Sequence, residues 1–277
     1  MAERLTIEHA NFAQMGPVAH TGTRNMSVHC VIFQLGERVI LLDTGFGTQE
    51  MDNPNDLIGA DALFKLGIMV DRRLTALERL KAKGIDADQV TDIVLTHFDN
   101  DHAGGLHDFP NAMVHVSKEE LSAYDGTRSR GPYKPYQISH LTKFKSYEAS
   151  AEKWFGLEAR SLPISNNLEM KLIPLPGHTM GHCGVAYREE GKWSLHAGDS
   201  YFDHKVNFLN PAPGLPIEIA FQTSSPDRQA SINKLQLLKA EHGAEIDIYC
   251  THDQYDFDRW TTGRGRPDPI SSSILLY

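Results

Sequence analysis

Thr96-His97-Phe98-Asp99-Asn100-Asp101-His102-Ala103-Gly104-Gly105 places two imidazoles and two carboxylates within six positions, 97 to 102. The run that leads into it, Asp92 to Thr96 (DIVLT), is short, apolar and β-branched. It reads as a buried strand that delivers the chain to His97. In an extended or turning segment alternate residues face the same way, so 97, 99 and 101 can converge while 102 turns the corner. Imidazole nitrogen and carboxylate oxygen suit divalent ions such as zinc, manganese or iron at about 2.0–2.2 Å. Four such groups held this close repel one another or lose solvation unless a cation gathers them.

Outward from this stretch, apolar runs repeatedly end in an acid or an imidazole. Val28 to Leu35 and Val39 to Leu42 flank Gly36-Glu37-Arg38, a hairpin pattern, and the second run ends at Asp43-Thr44-Gly45. Leu74, Leu77 and Leu80 give a helical stripe that Gly84 stops. Ala112 to Val116 reads as a strand and Lys118 to Tyr124 as a helix. Met170 to Leu175 is a strand ending at Pro176-Gly177-His178. Cys183 to Tyr187 and Trp193 to His196 form a second hairpin around Glu189-Glu190-Gly191, ending at Ala197-Gly198-Asp199. Ser225-Pro226 opens a helix to His242, and Ile246 to Cys250 is a last strand ending at Thr251-His252. Alternating strands and helices make the class α/β.

Two segments break the alternation. Residues 46–73 are mixed, with Asn53-Pro54-Asn55 as a breaker. Residues 126–147 carry Arg128, Arg130, Lys134, Lys143 and Lys145 with no acid, beside Tyr133, Tyr136, Phe144 and Tyr147. Long loops in compact domains are commonly functional, so both segments read as lid insertions, with a solvated basic surface as the alternative for the second.

The bulk numbers narrow the function classes. A hydrophobic fraction of 40% and a charged fraction of 23% over 277 residues are ordinary for a globular chain. The net charge of -9 argues against nucleic acid as a partner. No run approaches the roughly 18 apolar residues of a membrane span. Glu3, Glu8 and His9 interrupt what a signal peptide keeps apolar. The expectation is a cytoplasmic protein with a small-molecule substrate and no membrane partner. Cys30, Cys183 and Cys250 are too few and scattered for a disulfide framework and read as small buried hydrophobes.

A lone His-x-Asp is common by chance, and Asp199 alone could cap a turn. Order and context make the set specific. Residues 96–105 resemble the HxHxDH-x-GG signature of the metallo-β-lactamase superfamily. Asp43-Thr44-Gly45 is similar to its early strand-end DTG, and Pro176-Gly177-His178-Thr179-Met180-Gly181-His182 to its PGHTxGH element. Gly198-Asp199 resembles its bridging aspartate, and Thr251-His252-Asp253 its C-terminal histidine. The resemblance implies a single domain over 1–277 with the four-layer αβ/βα sandwich of that fold. Two similar halves, about 1–150 and 151–277, would meet at an edge that holds two metal ions. It further implies that one metal binds His97, Asp99 and His178, the other Asp101, His102 and His252, and that Asp199 bridges them. His182 and Asp43 would support these ligands from behind, His182 acting on His178.

Position 99 departs from the family pattern, which has histidine there. Two divalent ions bring four positive charges. Asp99, Asp101 and Asp199 with a bridging hydroxide cancel them, whereas histidine at 99 would leave one. The expected cofactors are two divalent ions, zinc in the usual case, with manganese or iron favoured by the harder carboxylate. The resemblance implies a hydrolase in which hydroxide between the metals attacks a small ester or lactone and Asp101 orients it, then protonates the departing oxygen. In lactone-opening members a tyrosine shortly after the bridging aspartate meets the substrate, which makes Tyr201 and His204 candidates. Glyoxalase-type thioester hydrolysis, phosphodiester cleavage and a non-catalytic metal-binding module are the alternatives.

Overall fold

Val31, Phe33 and Leu35 alternate along one strand with Val28, Cys30 and Ile32, and both sets are buried. A strand that buries both faces lies inside a layered structure. The computed structural model describes residues 4–16, 25–124, 143–189, 191–209 and 216–262. Its first sheet runs in the order β1 (Leu5–Met15), β2 (Met26–Leu35), β3 (Arg38–Leu42), β4 (Val90–Val94), β5 (Met113–Ser117) and β6 (Phe144–Tyr147). After a two-stranded ribbon, β7 (Lys153–Trp154) and β8 (Leu157–Glu158), come β9 (Arg160–Ser161), β10 (Met170–Pro174), β11 (Cys183–Glu189), β12 (Lys192–His196) and β13 (Ile246–Tyr249). These last five form a second sheet in the order β13-β12-β11-β10-β9.

Three apolar cores separate four layers. Val31, Phe33, Leu35, Ile40 and Leu42 of the first sheet meet Met170, Leu172, Val185 and Tyr187 of the second. The far face of the first sheet, with Val28, Ile32, Leu41 and Ile93, packs on Ala76 and Leu80. The far face of the second sheet, with Ile173, Leu195 and Ile248, packs on Leu235 and Leu238 of the helix Ser225–His242. The order is helices, sheet, sheet, helices, the expected αβ/βα sandwich. Both hairpins form in the expected places. The helix Ala76–Ala82 is capped by the Thr75 hydroxyl, which accepts from Glu78 N–H, and its chain leaves through Gly84 at φ 75°.

Several elements have no counterpart in the sequence reading, among them β1, the short strands β7, β8 and β9 and the helix Gln254–Thr261, and Phe144–Tyr147 differs from it. β1 has no clean apolar alternation because it is an edge strand whose Glu8, His9 and Asn11 interrupt the pattern. Phe144–Tyr147, read as loop, is β6, paired parallel to β5 through Val114–Phe144 and His115–Lys145. The rest of the basic segment, 126–142, lies outside the described residues. The 46–73 segment carries short helical turns at Thr48–Asp52, Asn55–Gly59 and Ala60–Leu66. Cys30, Cys183 and Cys250 are buried and free. Among the described residues no helix is long and apolar enough to cross a membrane.

Candidate metal centre

Strand bodies are apolar and packed, so their polar residues collect where the strands stop. β3 ends before Asp43, β4 before Thr96-His97, β10 before His178, β12 before Asp199 and β13 before His252. All five ends open on the same edge. His97 Nε2 lies 3.5 Å from Asp99 Oδ2, and His178 Nε2 lies 3.0 Å from the same oxygen. Asp101 Oδ2 is 3.9 Å from His102 Nε2 and 3.4 Å from His252 Nε2. Asp199 reaches both groups, with Oδ1 3.2 Å from His102 Nε2 and Oδ2 3.5 Å from His178 Nε2 and 3.1 Å from His252 Nε2. His97, Asp99 and His178 form one cluster of convergent donor atoms, and Asp101, His102 and His252 another.

These donors fit divalent cations. Tetrahedral ligands at about 2.1 Å from a metal stand about 3.4 Å apart, the spacing seen here. His97 Nε2, His102 Nε2, Asp99 Oδ1 and Asp199 Oδ1 are buried with no hydrogen-bond partner among the described residues. Such groups are costly unless something else satisfies them. The local field also favours positive charge. Burial opposes a charged imidazole at His102, yet Asp199, Asp101 and Asp43 overcome it and hold its pKa well above the usual value. Burial is likewise overcome at His178, by Asp99 and Asp199, and at His252, by Asp199 and Asp101, so both are raised.

Three of the four imidazoles, those of His97, His102 and His252, are held from behind so that Nε2 faces the centre, whereas His178 Nδ1 is buried with no hydrogen-bond partner among the described residues. Asp43 sits at φ 56°, a left-handed position that Asp and Asn tolerate better than most residues. Its Oδ2 accepts from His102 Nδ1 at 2.8 Å and from the Thr96 hydroxyl at 2.8 Å, while Oδ1 accepts from Thr96 N–H at 2.9 Å. With its proton given to Asp43, the Thr96 oxygen accepts from His97 Nδ1 at 2.9 Å. His252 Nδ1 donates to Ser27 O at 2.9 Å. One buried carboxylate thus orients His102 directly and His97 through Thr96. Asp43→Asn keeps the backbone preference but removes the charge, and is expected to weaken zinc binding about 10–100-fold. Competition against a chelating dye measures this, and an unchanged affinity would contradict it.

His182 behaves differently from the sequence expectation. Its Nδ1 donates to Leu175 O at 2.8 Å and its Nε2 accepts from Asp199 N–H at 2.9 Å. It therefore sets the backbone of Asp199, and it meets the His178 ring only edge-on, with centroids 6.0 Å apart and no hydrogen bond between them among the described residues. Burial holds its pKa well below the ordinary value, consistent with that neutral tautomer. Gly198 is required there, because a Cβ would stand 2.4 Å from His182 Nε2. Tyr201 and His204, expected as substrate contacts, do not line the cavity at the centre. Both line a separate small cavity with Phe208, Lys239 and Asp256. His204 is tied to Asp253 and stacked on Tyr255. The chain turns at Ser200 and buries Tyr201 behind the site, against Phe208.

A cavity of about 250 Å³ opens onto Asp99, Asp101, His178, Asp199 and His252. Its other walls are largely apolar, with Met15, Phe46, Ile58, Leu66, Ile68 and Phe202 among them. The sequence reading missed these wall residues, since they come from separate segments and share no motif. It also missed Glu120, a fully buried carboxylate beside the ligand loops. The signal was present as Ser117-Lys118-Glu119-Glu120, a capping-box pattern. Ser117 does cap the helix Lys118–Ala123, accepting from Glu120 N–H, but the Glu120 carboxylate turns to the ligand loops.

Comparison with known proteins agrees with this architecture. Residues 23–246 match the family described as the metallo-beta-lactamase superfamily. A probable metallo-hydrolase of Mycobacterium tuberculosis is 30% identical over 239 residues, covering 81% of this chain and 74% of the relative. An N-acyl homoserine lactonase of Bacillus cereus is 25% identical over 233 residues, covering 82% of this chain and 85% of the relative. A solved N-acyl homoserine lactone hydrolase, with the product N-hexanoyl-L-homoserine at its catalytic metal centre, is similar in fold. Its TM-score is 0.66 at 21% identity, over 92% of this chain and 95% of that one. The family match spans most of the sequence, and the chain belongs to the metallo-β-lactamase superfamily, as a metal-dependent hydrolase.

Proposed function

We propose that this hydrolase holds two divalent cations and opens a small ester or lactone that carries an apolar chain. The observation that carries the reading is the placement of the convergent donors at one end of a cavity whose remaining walls are mostly hydrocarbon. His97, Asp99 and His178 would hold one ion, Asp101, His102 and His252 the other, with Asp199 shared. When bound, such a pair supplies an acidic water and positive charge for a carbonyl oxygen. Asp101 orients the attacking water and passes a proton to the oxygen that leaves as the ester or ring C–O bond breaks. The apolar walls seat the chain and keep bulk water from the carbonyl.

The relative from Bacillus cereus is named for N-acyl homoserine lactones, and the solved neighbour binds an N-hexanoyl product. An acyl chain on a lactone matches a cavity with a polar end and a hydrocarbon wall. Phosphodiester cleavage fits less well, because no lysine or arginine lines this cavity among the described residues. The test is a panel of acyl lactones, plain lactones, aryl esters, thioesters and phosphodiesters with zinc, manganese and iron loaded separately. Acyl lactones are expected to lead, with kcat/KM rising up to about fourfold per added methylene until the cavity is filled. A preference for thioesters or phosphodiesters, with no dependence on chain length, would overturn the reading. The carboxylate at 99 favours manganese or iron, and zinc alone at two ions per chain in protein grown without added metal would count against that.

A further inference from the structure

Three donors from two separate ligand loops converge on one buried carboxylate. Glu120 Oε1 accepts from Phe98 N–H at 3.0 Å, between His97 and Asp99. Its Oε2 accepts from the Thr179 hydroxyl at 2.7 Å and from Gly181 N–H at 3.0 Å, in the loop that begins with His178. The neighbouring Ser117 hydroxyl donates to Gly181 O at 2.6 Å. The loops approach so closely that a Cβ on Gly181 would lie 1.9 Å from Glu120 N, so only glycine fits. Phe98 and Thr179 are far apart in sequence, and β4 and β10 belong to different sheets.

We propose that Glu120 is a positioning residue that sets the His97, Asp99 and His178 group, acting on one half of the metal centre and not the other. The residues it grips flank that group on both sides. The Asp101, His102 and His252 group is held by other partners, Asp43 behind His102 and Ser27 O behind His252. A carboxylate can accept all three donors at once. A neutral amide of the same shape has one acceptor oxygen and must turn an N–H toward a donor of one of the loops. Losing one acceptor therefore splays the two loops relative to each other, which alters the spacing of His97, Asp99 and His178.

The inference rests on the seven residues being a metal centre, so its test reads metal binding and not turnover. Metal-stripped wild type and Glu120→Gln are titrated with zinc alone, and the two stepwise affinities are compared. The expected result is that one ion of the two binds about 10–100-fold more weakly in Glu120→Gln while the other is unchanged. Thr179→Val removes one donor and leaves the carboxylate, and is expected to weaken the same ion by a smaller factor. It carries the test if Glu120→Gln does not fold. As a control, His115→Gln disturbs a buried pair with Asp92, at 2.9 Å, away from the ligand set. It should lower Tm without separating the two affinities. Both ions weakened equally, or both unchanged, in the Glu120 and Thr179 variants overturns the Glu120 assignment while leaving the metal centre standing. A wild type that binds no zinc overturns both.

Discussion

Asp101→Asn is expected to keep both cations and to lower turnover by about 10²–10⁴-fold, the range for losing a positioned acid–base group. Asp101 is the most open of the three carboxylates, its side chain 17% exposed against 12% for Asp99 and 3% for Asp199. It is also the least confined, 3.4 and 3.9 Å from the His252 and His102 nitrogens, whereas Asp199 approaches three imidazoles within 3.5 Å. Asparagine at 101 retains an oxygen that can face a cation, so metal content should hold. It cannot take up and release a proton, so the departing oxygen must leave as an unprotonated alkoxide. The difference is read by measuring kcat beside metal content in the same preparation. Near-normal turnover with both ions present would remove Asp101 from the proton-transfer role. Loss of an ion in step with activity would make it a ligand only.

The parts of this molecule that the sequence exposes are those where one physical rule acts alone. Apolar runs that stop at Asp43, His97, His178, Asp199 and His252 declare both a strand and its polar end, because nothing else makes that pattern economical. The hairpins and the helix Ser225–His242 are legible for the same reason, from local turn and cap chemistry. Neighbourhood in sequence misleads where the chain turns sharply. His182 stands four residues from His178 yet serves Asp199, and Tyr201 stands two residues from Asp199 yet lies behind the site. Glu120 shows a further kind of failure. Its local pattern fits a helix cap, and only the folded contacts with Phe98, Thr179 and Gly181 reveal another use. The cavity wall is least legible, since Met15, Ile58 and Phe202 become neighbours only after both sheets have packed.

Removing both cations with a chelator is expected to lower Tm by roughly 15–30 °C, and by more as pH rises. Ions present at about 1,000 times their dissociation constant stabilise a fold by about 4 kcal/mol per site. In a chain of this size each kcal/mol shifts Tm by about 2–4 °C. The pH dependence follows from what replaces the cations in the stripped protein. Burial opposes charge at His102, His178 and His252, yet the facing aspartates hold all three pKa values above the ordinary one. Protons on these imidazoles then offset the buried carboxylates. A group whose folded pKa is raised contributes fully below its unfolded value, about 6.5. That contribution disappears as pH climbs through the raised folded values. Asp99 and Asp199 do not oppose this trend. Burial resists their charge, but the imidazoles hold both pKa values below the usual carboxylate range, so they stay ionised throughout the window. Metal-loaded protein keeps the same histidines deprotonated as ligands and lacks this source of pH dependence. Thermal unfolding with and without chelator at pH 6 and pH 9 should therefore show a gap that widens toward alkaline pH. Identical Tm values under the two conditions, or a gap that closes as pH rises, would mean that these carboxylates and imidazoles are balanced by something other than metal.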